Sequence, residues 1–266
     1  MSRLHDAFAA AKAEGRAALI AYLPAGFPDV EQGYNLVRAV VEGGADIVEV
    51  GWPYSDPLMD GPVIQRAVEL ALEGGAKLDD VLNTVAVAGD AGAVPLVMTY
   101  WNPVERVGVR DFAQRLAAAG GVGVITPDLT PDEAAEWVAA SDSEGVDRVF
   151  LVAPSSTPER ISLVTAATTG FVYAASLMGV TGTRSSVSSA AEALVERTRQ
   201  ATSLPIAVGL GVSTPDQARE VARYADGVIV GSAFVKAALE ADSPERAVQA
   251  VRELAAELRA ATVRQP

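Results

Sequence analysis

Two textures alternate along the chain. Short, nearly unbroken apolar runs recur at 18–23, 46–51, 95–100, 122–126, 147–152, 171–175, 205–208 and 226–230. Between them lie Ala-rich stretches whose apolar positions return with helical period. Continuous apolar runs are what parallel strands buried on both faces require, and the intervening period predicts amphipathic helices packed against them. Helix starts are legible at Pro28-Asp29, at Thr130-Pro131-Asp132-Glu133 and at Ser213-Thr214-Pro215-Asp216, where capping or acidic residues fall in the first turn. Glycine pairs at Gly43-Gly44, Gly74-Gly75 and Gly120-Gly121 mark helix ends. Residues 1–15 predict one further amphipathic helix with Leu4, Phe8 and Ala11 on a single face.

Eight strand–helix units without a Ser/Pro-rich linker predict one domain over residues 1–266. An open doubly wound sheet also alternates in this way. Eight units, and no Gly-rich turn after the first strand, favour a closed (β/α)₈ (TIM) barrel. The 266-residue length agrees with that fold. One connection is unusually long. Residues 52–90 hold a Pro-rich loop and then more than one helical segment, and extended loops of this kind belong to the catalytic face of a barrel.

Composition removes several function classes. The formal net charge of -13 argues against a nucleic-acid binder, and an anionic ligand would have to be held by local design. No apolar run is long enough to span a bilayer, and the N-terminus lacks a signal-peptide layout, which predicts a soluble protein. Absence of cysteine fits a cytoplasmic location and removes thiolate chemistry. Only three lysines occur (Lys12, Lys77, Lys236), none at the end of a strand, and His5 is the single histidine. That inventory offers neither a Schiff base at a barrel mouth nor a zinc site, so no metal is expected. Acid–base catalysis by carboxylates remains, with Tyr173 as a possible helper.

Glu49 sits inside the second strand, near its C-terminal end, where barrel enzymes place reacting groups. A carboxylate there is costly unless it is used or paired, and an ion pair with an outer helix is the structural alternative. The segment Trp52-Pro53-Tyr54-Ser55-Asp56-Pro57-Leu58-Met59-Asp60-Gly61-Pro62 follows directly and presents Asp56 and Asp60 above the mouth. Loop aspartates are usually turn formers. Combined with Glu49 they supply two carboxylates near one pocket, enough to move protons both ways. Small-residue junctions at 179–183, 209–213 and 231–233 follow the last three strands. Each alone reads as a turn; three at adjacent junctions read as a phosphate site built from backbone N–H groups and Ser232.

The run from Val48 through Glu49, Asp60 and Gln65 resembles the signature of tryptophan synthase alpha chains. The likeness continues through Tyr100-Trp101-Asn102-Pro103, Pro127-Asp128-Leu129, Tyr173, Gly179-Val180-Thr181-Gly182, Gly209-Leu210-Gly211 and Gly231-Ser232-Ala233. It departs from the common pattern at Trp52, Tyr54, Met59 and Leu210. The resemblance implies cleavage of indole-3-glycerol phosphate into indole and glyceraldehyde 3-phosphate. It gives Asp60 the indole N–H, and Glu49 the protons of the ring carbon and the side-chain hydroxyl. Tyr22, Tyr173, Thr181 and Leu210 would line the substrate pocket, and Gly182, Gly211, Gly231 and Ser232 would bind the phosphate. The loops bearing Asp56, Pro57, Asn102 and Pro103 would meet a beta subunit in an alpha-beta-beta-alpha tetramer, with pyridoxal phosphate only in that partner. A free-standing lyase and a non-catalytic phosphate-sugar-binding barrel remain as alternatives, although the latter has no need of a buried strand carboxylate.

Overall fold

A computed structural model describes residues 2–175, 184–209 and 211–264 of the chain, with side chains of 184–189 left aside. Nine parallel strand segments form one sheet in the order β5-β4-β3-β2-β1-β9-β8-β7-β6. They are β1 (Ala18–Pro24), β2 (Ile47–Gly51), β3 (Val94–Met98), β4 (Gly123–Ile125), β5 (Asp147–Val149), β6 (Leu151–Val152), β7 (Val172–Ala175), β8 (Ile206–Gly209) and β9 (Gly227–Val230). Each of the eight apolar runs contains strand. The fifth is interrupted at Phe150, so β5 and β6 are two halves of one stave. β5 pairs with β4 and β6 with β7, and Tyr173 N–H donates to the Phe150 carbonyl at 3.1 Å. This split stave joins the two ends of the sheet order, and the barrel closes.

The helices are α1 (Arg3–Ala13), α2 (Val30–Glu42), α3 (Pro62–Glu73), α4 (Leu78–Asp90), α5 (Trp101–Val107), α6 (Val109–Ala118), α7 (Ala135–Glu144), α8 (Pro158–Ala167), α9 (Arg184–Arg199), α10 (Pro215–Ala222), α11 (Ser232–Leu239) and α12 (Pro244–Ala261). Two of the three expected start signals cap directly. Asp29 accepts from Gln32 N–H before α2, and Thr214 forms a capping box with Gln217 before α10. The third behaves differently: Pro131–Glu133 make a 3₁₀ turn, and α7 begins only at Ala135. The long second connection holds two helices, α3 and α4, as its length suggested.

Strand parity divides the core into two layers. Outward residues such as Val48, Val50, Val97 and Val208 pack beneath the helices. Inward residues, among them Ile20, Ile47, Leu96, Ile125, Val149, Ala207 and Ile229, fill the barrel. Leu4, Phe8 and Ala11 of α1 join this inner cluster, so the N-terminal helix plugs the barrel's N-terminal end. Parity therefore settles where Glu49 points. It shares the inward face with Ile47, two residues earlier, and looks away from the helix layer.

Candidate functional site

At the opposite, C-terminal end the inner face turns polar. A cavity there is lined by Tyr22, Glu49, Met59, Asp60, Ile64, Met98, Ile125, Pro127, Leu151, Tyr173, Ile229, Gly231 and Ser232. The register places Tyr22 on β1 directly beside Glu49 on β2, while Tyr173 enters from β7. Glycines make room for both rings. A Cβ on Gly51 would lie 2.4 Å from the Tyr22 hydroxyl, and one on Gly209 would lie 2.1 Å from the Tyr173 hydroxyl.

Glu49 is 2 % exposed, and its Oε1 is buried without a hydrogen-bond partner among the described residues. Among the described residues, Glu49 makes no ion pair with an outer helix. Burial pushes its pKa up to about 8, because the charged form loses water and gains no compensating donor. Near neutral pH the side chain is mostly a carboxylic acid, able to give a proton and then take one back. Burial also holds the hydroxyls of Tyr22 and Tyr173 well above the usual tyrosine range, with nearby acidic groups adding to the effect. Both tyrosines are therefore donors at neutral pH.

Asp60 comes from the loop between β2 and α3 and is half-buried. Its Oδ1 accepts a hydrogen bond from the Tyr100 hydroxyl at 3.0 Å. Burial raises the Asp60 pKa, and the bond from Tyr100 opposes the rise. Two carboxyls thus meet one cavity in different settings: Glu49 has burial alone, whereas Asp60 has a donor that favours its ionised form. Divergent environments of this kind push the pKa values of two like groups apart.

The phosphate candidates separate. Gly231 and Ser232 line the cavity, at the start of α11. The first-turn N–H groups of Ser232 and Ala233 have no acceptor within the helix and suit an anion. Gly211, whose φ is 101°, follows β8 at the same end but is not among the lining residues. Thr181, Gly182 and Leu210 lie outside the described residues. Asp56 and Pro57 sit on the loop outside the cavity, with Asp56 accepting from the Ser55 hydroxyl at 2.6 Å. Asn102 and Pro103 open α5, where the Asn102 amide donates to the Tyr54 hydroxyl at 2.9 Å. Of the departures from the common pattern, Trp52 packs on Phe112, Tyr54 packs on Tyr100, each pair with ring centroids 5.5 Å apart, and Met59 lines the cavity.

Sequence reasoning did not single out the apolar wall, Ile64, Met98, Ile125, Pro127, Leu151 and Ile229. Met98, Ile125 and Ile229 stand at or next to strand ends, which the apolar runs marked without showing which side chains point inward. It also left Tyr100 without a role.

A sequence model described as tryptophan synthase alpha chain matches residues 8–263. The chain belongs to the tryptophan synthase alpha chain family. The alpha chain of Thermobifida fusca is 59 % identical over 263 residues, covering 98 % of this chain and 97 % of that one. A solved structure of Mycobacterium tuberculosis tryptophan synthase is 53 % identical, covers 99 % of both chains and superposes with a TM-score of 0.92. The structure of tryptophan synthase subunit alpha from Legionella pneumophila, at 33 % identity, covers 98 % of both chains with a TM-score of 0.89. The chain's activity is that of a tryptophan synthase alpha subunit, a lyase that cleaves indole-3-glycerol phosphate in tryptophan biosynthesis. Pyridoxal phosphate belongs to the beta chain of such an enzyme and not to this one.

Proposed function

We propose that residues 1–266 act as one catalytic barrel in which Glu49 and Asp60 divide the proton and charge work of this cleavage. The observation that carries the reading is Glu49: a buried carboxyl with an unpartnered oxygen, on a cavity that Asp60 also lines. Neutral Glu49 protonates the indole ring carbon that bears the glycerol chain. Positive charge then develops at the ring nitrogen, and the Asp60 carboxylate stabilises it through the N–H. Glu49, now a carboxylate, removes the proton of the adjacent side-chain hydroxyl. The carbon–carbon bond breaks, its electron pair returns to the ring, and the hydroxyl carbon becomes the aldehyde of glyceraldehyde 3-phosphate. Glu49 ends protonated, as it began.

Tyr22 and Tyr173, together with Thr181 and Leu210, would shape the pocket for the indole and glycerol parts. Ser232, Gly231, Gly211 and Gly182 would hold the phosphate, Ser232 and Gly231 being supported by their place on the cavity at the start of α11. The partner is a tryptophan synthase beta subunit in an alpha-beta-beta-alpha tetramer, approached through Asp56, Pro57, Asn102 and Pro103. The solved Mycobacterium tuberculosis relative, a tryptophan synthase, supports this assembly. A cysteine-free chain needs no oxidising compartment, which fits the cytoplasm.

The test is turnover of indole-3-glycerol phosphate by the purified chain, alone and with a beta subunit. Indole and glyceraldehyde 3-phosphate should form in equal amounts, faster when the partner is present. Equal rates with and without the partner would favour the free-standing lyase. No cleavage in either case would leave only a binding barrel.

A further inference from the structure

Asp60 is carried by a stretch with little of its own to hold it. Residues 52–61 contain no helix and no strand beyond β2, and Leu58 beside it is 78 % exposed. Carboxylate rotation about its last side-chain torsion is intrinsically broad. What fixes the group is Tyr100, which follows β3, caps the start of α5 and is itself 2 % exposed.

The Tyr100 hydroxyl accepts from Met59 N–H and donates to Asp60 Oδ1, each at 3.0 Å. A phenol has a single proton to give, and an amide N–H can only donate. The Met59 bond therefore leaves the hydroxyl proton free for Asp60. Among the described residues, Asp60 Oδ2 has no hydrogen bond, and the Asp60 side chain lines the cavity.

We propose that Tyr100 is a positioning residue for the cleavage reaction: from the rigid barrel rim it clamps Asp60 Oδ1 and the adjacent loop backbone, leaving Oδ2 to meet the indole N–H. The inference rests on the role given to Asp60 above. A donor bond to a carboxylate also favours its charged form, so the clamp that orients Asp60 helps to keep it ionised despite burial. Its benefit should appear in turnover, because the charge it prepares for arises at the ring nitrogen in the transition state.

Tyr100→Phe keeps the ring and its packing on Tyr54 and deletes only the hydroxyl. In the enzyme with its beta subunit, kcat should fall by roughly ten- to a hundredfold, the size expected for a lost hydrogen bond to a charged group, with little change in KM. The acid limb of kcat/KM should move to higher pH. Asp60 must be charged to act, and the substitution removes the interaction that, among the described residues, lowers its pKa. The described titratable groups on its cavity are Tyr22 on β1, Glu49 on β2 and Tyr173 on β7; the tyrosines stay protonated, Glu49 stays neutral below about pH 8, and the substrate phosphate titrates alike with both enzymes, so a shift of the acid limb between them reports Asp60.

Wild-type kcat with an unmoved acid limb would overturn the proposal, as would a rise in KM alone, which marks a pocket wall. A fall in kcat with the acid limb unmoved would overturn it too, since a structural defect gives that result. Asp60→Asn, measured alongside, separates the levels. A crippled Asp60→Asn beside a normal Tyr100→Phe sinks the Tyr100 role alone, whereas an active Asp60→Asn sinks the Asp60 reading beneath it.

Discussion

The two ends of the barrel are built from one backbone plan and filled in opposite ways. At the N-terminal end α1 lays Leu4 and Phe8 into the opening, with the Phe8 and Phe171 ring centroids 5.5 Å apart. Buried charge there is exemplified by Arg16, which is 4 % exposed and grips both Asp46 oxygens at 2.7 Å. Pairing is not complete at that end, since Asp147 keeps one buried oxygen without a partner. At the C-terminal end no described helix plugs the opening as α1 does. The inner face carries Tyr22, Tyr173 and the unpaired Glu49 around empty space. A filled end can contribute packing energy; an end left open with an unpaired acid forgoes it, and the return is chemistry.

Glu49→Gln tests this contrast with the largest effect. The amide preserves shape and cannot transfer a proton, so kcat should fall by at least roughly 10²–10⁴-fold while substrate still binds. Near-normal turnover would remove Glu49 from the mechanism. Stability should move the other way at alkaline pH. Below the ordinary carboxyl pKa, folded and unfolded chains both hold the proton. Above it the unfolded chain releases a proton that the folded chain keeps until about pH 8, so stability falls as pH rises through that window. The full loss is on the order of a few kcal/mol. Denaturant unfolding at pH 9 should therefore find the glutamine variant more stable than its parent. An equal or lower stability would mean that the Glu49 charge is better solvated than its burial implies.

A paired substitution sharpens the comparison, because glycines serve both ends. The nearest atoms to a Cβ on Gly209 would be the hydroxyl end of the Tyr173 ring, a side chain that lines the cavity. Gly209→Ala should leave the fold intact and displace that hydroxyl, lowering kcat/KM by roughly ten- to a hundredfold, the usual scale for misplacement near 1 Å. A Cβ on Gly227 would lie 2.9 Å from Phe8, 3.0 Å from Ala207 and 3.1 Å from Ile20, all within the filled end. All three neighbours are buried. Gly227→Ala should cost about 1–3 kcal/mol of stability and leave kinetics unchanged. Denaturation midpoints and steady-state rates, taken on both variants, decide it. If both variants lose stability and neither loses rate, the division of labour between the ends is wrong.

These ends were not equally legible in the sequence. The plugging helix was readable as an amphipathic helix because Leu4, Phe8 and Ala11 recur with helical period, a signal carried by one short segment; where its apolar face docks was not. The staves were readable because strands buried on both faces must be apolar throughout; the break at Phe150 left no mark, since Phe150 is as apolar as its neighbours. The position of Glu49 near a strand end was visible, and its inward direction was not, because a run apolar on both faces hides parity. Tyr100 and Asp60 are 40 residues apart, and their bond depends on how a Pro-rich loop folds back over β3. No local pattern encodes that meeting. The 3₁₀ turn at Pro131–Glu133 carries a helix-start signal and uses it for a single turn, a choice made by tertiary context.

The smallest effect concerns Ser232, where the open end gives way to a helix start. The residue is the first of α11, follows Gly231 and lines the cavity. If the substrate phosphate sits here, most of its binding comes from backbone N–H groups and the helix terminus, which Ser232→Ala leaves in place. The substitution removes one hydroxyl donor to an anion, so KM should rise by roughly three- to tenfold with kcat nearly unchanged. Phosphate is distant from the bond being broken, so its contacts act alike in ground and transition states. Inorganic phosphate should compete with the substrate, and its inhibition constant should weaken by the same factor in the variant. A fall in kcat without a change in KM would place Ser232 at the reacting atoms instead. An unchanged KM with unchanged phosphate inhibition would move the phosphate away from α11 altogether.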